Sequence, residues 1–505
     1  MLNEPNTAPV IRNDLYGRLD IYATDDNITE ENVIEETNSA LVFHIENMLQ
    51  EEFLYWYRRG VQPILNRTKE VRDDILNIVQ ENHAEEFVAF KNGYFLTADA
   101  NYLARRKGVQ SKVRKLNEYL YRSGKHDADN EVADWFHTVG KGAIYVTPNE
   151  DNEVPFLAYA LDPRSAFVCY SLRPGNEPVM ACNLVTTDGK AKVDVFTKDR
   201  VFHLSGTTVG KLMSPFKNNN YLVTVTQVDS VEPNILGKIP IIEYRYNSTN
   251  MGCFEACLPI LDEINNVVSN ACDGVEQFIQ SLAIAVNCEF PENTTITDIR
   301  KAGMIALRSI GENKADFKIL AEQLDQTQTK VLLDRLYDQA LRIAAMPARS
   351  SGQSTQSTTG QAVLANFGWY QADCSFRNTV DLFKKSNRQF DAIIVDILKR
   401  KGLMEIDLND FEIGIDHNET ANIQAKAQAF NTLMASGLHP ELAMAKSGIS
   451  NDPVKDAAMS AKYIEMIWGD PTKAVEAEQT NGGQGEAQII EEDRNNGEND
   501  TGGAV

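Results

Sequence analysis

Two stretches of equal length constrain this chain most. In Leu258–Ala283 the apolar residues Leu258, Leu261, Ile264, Val268, Cys272, Val275, Phe278 and Leu282 recur at spacings of mostly three and four. Ala321–Met346 is built alike, with Leu324, Val331, Leu332, Leu336, Ile343 and Met346. Such periodicity predicts amphipathic helices. Pro259 falls in the first turn, where the N–H that proline lacks has no helical partner anyway. At about 1.5 Å per residue each helix would span roughly 39 Å, and the match in length predicts an antiparallel pair. Of the residues between them, the 33 of Ile284–Asp316 carry Pro291, Thr294–Thr297 and Gly303. They predict a small mixed α/β module projecting from one end of the pair.

The texture on either side differs. From Asn38 to Ala98 it is helical, first through Leu41, Ile45, Met48, Leu49, Phe53 and Tyr57 and then, after Gly60 and Pro63, through Val71, Ile75, Ile78, Val79 and Phe87. Helices are also predicted over Lys112–Arg122 and Asn130–Val139. After Gly140 come short β-rich runs: AIYV at Ala143, PFLAYAL at Pro155, AFVCYSL at Ala166, VFTKDRVFHL at Val195, YLVTVTQV at Tyr221 and PIIEYRYN at Pro240. Thr187-Asp188-Gly189-Lys190 reads as a hairpin turn. Downstream, Met346–Gly360 has nine Ser, Thr or Gln in fifteen residues and no acid, the composition of a flexible polar loop. A third helix of about 60 Å is predicted over Gln361–Lys401, with Gly368 tolerated inside it. A short strand at Phe411–Ile415 and helices at Glu419–Met434 and Pro453–Trp468 follow. Past Gly469 there are too few apolar side chains to offset ordering entropy, so the tail is expected to be disordered. The fold class is α+β, mainly helical.

At 505 residues the chain is too long for a single core. Its longest uncharged apolar stretch, Phe278–Val286, is far shorter than the roughly 20 residues of a membrane span, and Met1–Arg18 lacks the pattern of a secretory signal. Seven scattered cysteines without a C-x-x-C pair read as reduced thiols serving as small core residues. The net charge is −23, and Met1–Thr37 alone holds nine acids against two arginines. A surface this acidic gains nothing from counterion release on DNA, although it does not prevent DNA from passing by. No phosphate-binding glycine loop, H-E-x-x-H or G-x-S-x-G is present, so neither an enzyme nor a cofactor or metal site is expected.

Several stretches carry a family resemblance: YRRGVQPILNR at Tyr57, KNGYFL at Lys91, GKGAIYV at Gly140, LDPRSAFVCYS at Leu161, NILGKIPIIEYRYNSTNMGCFEACLPILDEIN at Asn234, STTGQAVL at Ser357 and DFEIGIDHNETANIQAKAQ at Asp410. In this order, over roughly Asn38–Trp468, the chain resembles the portal proteins (head-to-tail connectors) of long-tailed double-stranded DNA bacteriophages. The resemblance implies the portal fold of wing, stem, clip and crown, assembling into a ring, commonly of about twelve subunits. Laid on this chain, it gives an acidic N-terminal arm at 1–37, a wing at 38–253, stem helices at 254–287 and 321–346 and a clip at 288–320. A tunnel loop at 347–359, a long helix at 360–402, a crown at 403–468 and an acidic tail at 469–505 complete it.

The resemblance also implies a role. The ring would be the channel at the capsid vertex of the virion, assembled in the host cytoplasm, through which double-stranded DNA is packaged and ejected without sequence specificity. The expected partners are further copies of the chain, the packaging ATPase (terminase), a head-completion or adaptor protein, and the major capsid and scaffolding proteins, with no membrane. The tunnel-loop residues would be Arg349, Ser350, Ser351, Gln353, Ser354, Thr355, Gln356, Ser357, Thr358 and Thr359. Their hydroxyls and amides offer phosphates only neutral, exchangeable hydrogen bonds. Arg300, Lys301, Arg308 and Lys314 would give the clip a basic surface for the ATPase or adaptor. The competing reading is another phage head scaffold or coat protein without a DNA channel.

Overall fold

The computed structural model describes residues 17–69, 74–96, 100–106, 108–209, 221–279, 282–286, 288–289, 308–309, 316–320, 326–347, 368–415, 423–450 and 453–468. They belong to two compact units, Met1–Asn418 and Glu419–Val505. In the first, β1 (Ile21–Tyr22), α1 (Val33–Arg58), α2 (His83–Phe95), β2 (Asn101–Ala104), α3 (Gln110–Arg122) and α4 (Lys125–Val139) lead into a β-rich stretch. That stretch holds β3 (Lys141–Pro148), β4 (Phe156–Leu161), β5 (Ala166–Tyr170), β6 (Pro178–Thr187), β7 (Lys190–Phe196), β8 (Arg200–Val209), β9 (Leu222–Pro233) and β10 (Ile241–Arg245). Then come α5 (Leu258–Ile279), β11 (Leu282–Val286), β12 (Cys288–Glu289), β13 (Arg308–Ser309), β14 (Asp316–Leu320), α6 (Gln326–Ile343), α7 (Trp369–Arg400) and β15 (Phe411–Gly414).

One helix straddles two cores. The first half of α1 buries Val33, Ala40, Leu41, Ile45 and Met48 against a six-stranded sheet ordered β1-β5-β6-β7-β8-β9. Its last turns bury Phe53, Leu54 and Tyr57 in a larger, mainly helical core shared with α2, α4, α5, α6 and α7 and with the sheet β10-β3-β4. Phe383 of α7 sits at the centre of that core, its ring 4.9 to 6.5 Å from those of Tyr244, Phe95 and Phe136. The hairpin turn between β6 and β7 places both Asp188 (φ 43) and Gly189 (φ 79) in the left-handed region, as a two-residue turn between twisted strands requires.

Three helical asparagines pair with backbone that no neighbouring strand serves, on β9, at Leu19 just ahead of β1, and on β2. The Asn38 amide accepts from Val225 N–H at 2.8 Å and donates to Val225 C=O at 3.0 Å. Asn47 does the same for Leu19, and Asn117 for Tyr102. A primary amide carries the same donor and acceptor as a peptide, so each supplies one rung of a ladder.

Several sequence expectations are corrected. The helical run expected through Val71, Ile75, Ile78, Val79 and Phe87 is only partly a helix: residues 70–73 lie outside the described residues, 74–82 run extended, and α2, which includes Phe87, begins at His83. The first of the matched helices ends at Ile279 rather than Ala283, because Leu282–Val286 pairs antiparallel with Asp316–Leu320. α6 starts at Gln326 and ends at Ile343, so the two helices measure 22 and 18 residues, roughly 33 and 27 Å. Gly368 does not sit inside the long helix. With φ 79 it is the N-cap of α7. The run VFTKDRVFHL is not one strand but the end of β7, a turn and the start of β8. The acidic segment before residue 38 is docked from Gly17 onward, with Ile21, Ala23 and Val33 buried.

The second unit contains α8 (Ile423–Ala435), α9 (Pro440–Ser447) and α10 (Pro453–Trp468). The last matches its expected bounds. α9 was not foreseen: His439 caps it, Nδ1 accepting from Glu441 N–H at 3.3 Å. The expected disordered tail lies outside the described residues.

Candidate functional site

The most distinctive construction is the pair α5–α6, rooted in the larger core and continued by a β-ribbon. At its root Phe254, Leu258, Leu261 and Ile264 are buried with Ala340, Leu341 and Ala344. Cys257 Sγ donates to Ala340 C=O at 3.4 Å. α2 grips the end of α6: Tyr337 donates to Glu86 Oε1 at 2.8 Å, and Lys91 Nζ donates to Ala345 C=O at 3.1 Å. Burial takes the Lys91 ammonium down to about 8, with Cys253 and Cys257 opposing the fall.

The polar face of α5 is occupied by the extended segment 74–82. Asn265, Ser269 and Asp273 are spaced four residues apart, one helical turn each. They accept the backbone N–H groups of Glu81, Val79 and Asn77 at 2.7, 3.0 and 2.7 Å. Ser269 also donates to Val79 C=O at 3.2 Å. Residues alternate along the segment as on a strand, with Ile75 buried and Leu76 and Ile78 exposed. Arg67 and Lys69 meet the Asp273 carboxylate, Arg67 at 2.8 Å. Higher up, Tyr57 donates to Asp262 at 2.8 Å, and Gln62 accepts from Asn265 at 2.7 Å.

Beyond the helices, β11 pairs with β14 and β12 with β13, both antiparallel. A ribbon therefore extends the pair, with Arg308 in register opposite Glu289. The outer length of α6 is covered on one side only. Val331 and Leu332 remain 64 and 45% exposed there, and Ile343, at the root end, is 50% exposed; a groove of about 440 Å³ opens between the helices beside Val268, Cys272, Val275 and Leu333.

The sequence-predicted site residues fall mostly beyond view. Arg349, Ser350, Ser351, Gln353, Ser354, Thr355, Gln356, Ser357, Thr358 and Thr359 lie outside the described residues, as do Arg300, Lys301 and Lys314. Arg308 lies on β13. Among the described residues no cluster of His, Cys, Asp or Glu is arranged to hold a metal ion. The structure instead brings together residues from stretches far apart in sequence. YRRGVQPILNR supplies Tyr57, Gln62 and Arg67, KNGYFL supplies Lys91, and the stretch entering α5 supplies Cys257 and Asp262. All but Arg67 hold the inner part of the helix pair, and Arg67 holds α5 farther out, at Asp273. Asn265, Ser269 and Asp273 were missed. Their four-residue spacing was visible, but nothing in the sequence named the segment they bind.

A family model described as phage portal protein, SPP1 Gp6-like, matches residues 44–467. No curated protein matches the chain. Among solved structures, a chain of the virion of a native gene transfer agent particle is similar over 72% of this chain and 89% of that one, at 10% identity and a TM-score of 0.36.

Proposed function

The chain belongs to the phage portal protein family, a structural family of the virion, and from that premise we propose that it forms the ring-shaped channel through which DNA enters and leaves the capsid. The observation that carries this reading is the α5–α6 pair. It is firmly rooted at one end, while its outer length leaves Val331 and Leu332 open among the described residues, apolar surface of the kind that marks a contact with another chain. In a ring, the same pair on adjacent copies covers it by a repeated head-to-tail contact.

In this reading α5 and α6 are the stem, the ribbon and the residues between its strands are the clip, and 347–359 reach the lumen as the tunnel loop. The net charge of −23 per copy keeps a passing duplex from adhering, and the hydroxyl and amide side chains of the loop touch phosphates without holding them. The packaging ATPase docks on the clip through Arg300, Lys301, Arg308 and Lys314. The adaptor protein takes the same surface later.

Imaging of the purified full chain, with light scattering in parallel, tests the proposal. Closed rings with a mass of roughly twelve times the 56.4 kDa chain are expected. A monomer under all conditions, or sheets and icosahedral shells such as a coat or scaffold protein forms, overturns it.

A further inference from the structure

Beneath residues 17–23 lies a cavity that the channel role does not use. It measures about 20 Å³, and Ile21, His44, Asn47, Glu51, Lys141 and Glu243 contribute to its lining. Glu51 is only 3% exposed, and its Oε2 has no hydrogen-bond partner among the described residues. A buried carboxylate oxygen without a donor is strongly disfavoured, whereas a neutral carboxyl group needs only an acceptor for its proton.

The charges around it are already matched. Arg18 pairs with Glu255 on the one side. Lys141, on β3, meets Asp20 at 3.1 Å and Glu243 at 3.3 Å, and Arg245, on β10, meets Asp20 at 3.0 Å and Glu243 at 2.8 Å. Three cations thus face three carboxylates, and an ionised Glu51 would be a fourth negative charge without a cation of its own. The remaining neighbours do not help. Tyr170, on β5, donates to Glu243 at 3.2 Å, and Asp162 is engaged by Arg164. His44, stacked on Phe167 with its Nε2 against Arg164 C=O, stays neutral, since burial takes its imidazole down to about 4.

We propose that this cavity is a binding site for one water molecule and one proton, in which Glu51 is a neutral acid joined through the water to Glu243. The volume fits one water, which needs about 10–15 Å³, and the lining supplies the two to four polar partners that such a water takes. Burial, the largest influence, pushes the Glu51 carboxyl up to about 7, with Arg18 and Lys141 pulling against it and Asp162 and Glu243 adding to it.

The N-terminal segment is the cover of this site. Leu19 is held by Asn47 and by Lys141 Nζ, Ile21 lines the cavity, and Ala23 N–H donates to Tyr170 C=O at 3.0 Å. Lifting the segment lets water reach Glu51, which then ionises as an ordinary carboxylate. Closure is therefore linked to the proton. The group's value is higher closed than open, so the stabilisation is whole below about pH 4.5 and is lost as pH rises towards 7.

Amide exchange at Leu19 and Ala23 in the full-length assembled protein, divided by the intrinsic rate, tests this. The opening constant of the wild type is expected to rise roughly tenfold per pH unit between about 5 and 7 and then level off. Glu51→Gln, which keeps shape and hydrogen bonding but carries no titrating proton, removes the slope. A flat wild-type profile overturns the proposal, as does a Glu51→Gln profile with an unchanged slope. If the variant fails to assemble, the wild-type profile alone decides. A density map of the assembled protein fine enough to resolve waters is expected to show one peak within hydrogen-bond distance of Glu51 and Glu243. A dry cavity, or a peak replaced by thallium and so due to a monovalent cation, overturns the water assignment.

Discussion

Asp273→Asn asks whether the polar ladder, rather than apolar packing alone, fixes the helix pair to the body. Asp273 Oδ1 accepts from Asn77 N–H at 2.7 Å and from its Nδ2 at 3.0 Å, and Oδ2 faces Arg67 and Lys69. Burial works to raise this carboxyl, but the hydrogen bonds from Lys69 and Asn77 and the charge of Arg67 outweigh it and bring the group from 3.8 down to about 2. A depression of that size corresponds to about 2 kcal/mol at neutral pH. Solvent screening at the margin of the core trims it to between about 1 and 2. Asparagine keeps the shape and one acceptor for Asn77 but loses the charge. Since the folded-state value lies below the unfolded one, the contribution is whole above about pH 4 and disappears as pH falls through about 2. At pH 7, amide exchange at Asn77 and Val79 is therefore expected to be roughly 5- to 30-fold faster in the variant. Near pH 2 the two proteins should converge. Wild-type protection in the variant at pH 7, or a difference that persists undiminished at pH 2, refutes the argument.

Replacing Ser354–Thr358 with glutamates should leave rings intact in the microscope but block packaging, and normal packaging would remove the role assigned to the loop. Glutamates at Arg300, Lys301, Arg308 and Lys314 should weaken capture of the packaging ATPase in a direct binding titration, and an unchanged affinity would rule out docking through these charges. Asn117→Asp keeps the acceptor for Tyr102 N–H but turns a carboxylate toward Tyr102 C=O. The expected cost is about 1–3 kcal/mol, read as a lower midpoint in chemical denaturation. An unchanged midpoint would mean that water serves this strand edge equally well.

The features legible in the sequence are those in which a residue's near neighbours decide its conformation. The Asp188-Gly189 turn is fixed by its own left-handed preference, and the bounds of Pro453–Trp468 follow from an initial proline and an uninterrupted periodicity. The matched stretches on either side of residues 284–316 gave a pair of helices for the same reason. Where the deciding partner is remote, local periodicity misleads. Ile75, Ile78 and Val79 are spaced as on a helix, yet the chain is extended because its N–H groups meet α5, 184 to 196 residues away. Leu282–Val286 continues an apolar run that suits helix or strand equally, and its pairing with Asp316–Leu320 settles the matter. Gly368 shows the opposite error, a local signal discounted because the flanking pattern was strong. Of the candidate site, the roots Tyr57, Lys91 and Cys257 stood in the stretches that carried the family resemblance, but their convergence on one pair of helices required the fold.

That convergence has a geometric basis. A step of four residues along a helix advances about 6.0 Å, and a step of two along a strand advances about 6.6 to 6.8 Å. Side chains at 265, 269 and 273 can therefore meet every second backbone N–H of an antiparallel extended segment, at 81, 79 and 77, with a misfit of about 0.7 Å per rung. Centred on Ser269, the outer rungs are each displaced by only that amount, which rotation of the Asn265 and Asp273 side chains absorbs: both outer bonds measure 2.7 Å and the middle one 3.0 Å. A further rung at either end would accumulate about 1.4 Å, beyond what a hydrogen bond tolerates. Three rungs are thus close to the longest ladder a straight helix and an extended chain can share. At the Asn77 end the chain changes to charge, with Arg67 and Lys69 closing on Asp273, and ion pairs are less exacting about distance than hydrogen bonds. The outer body thus holds α5 by a graded contact, apolar at the root, peptide-like along the middle and ionic toward its far end.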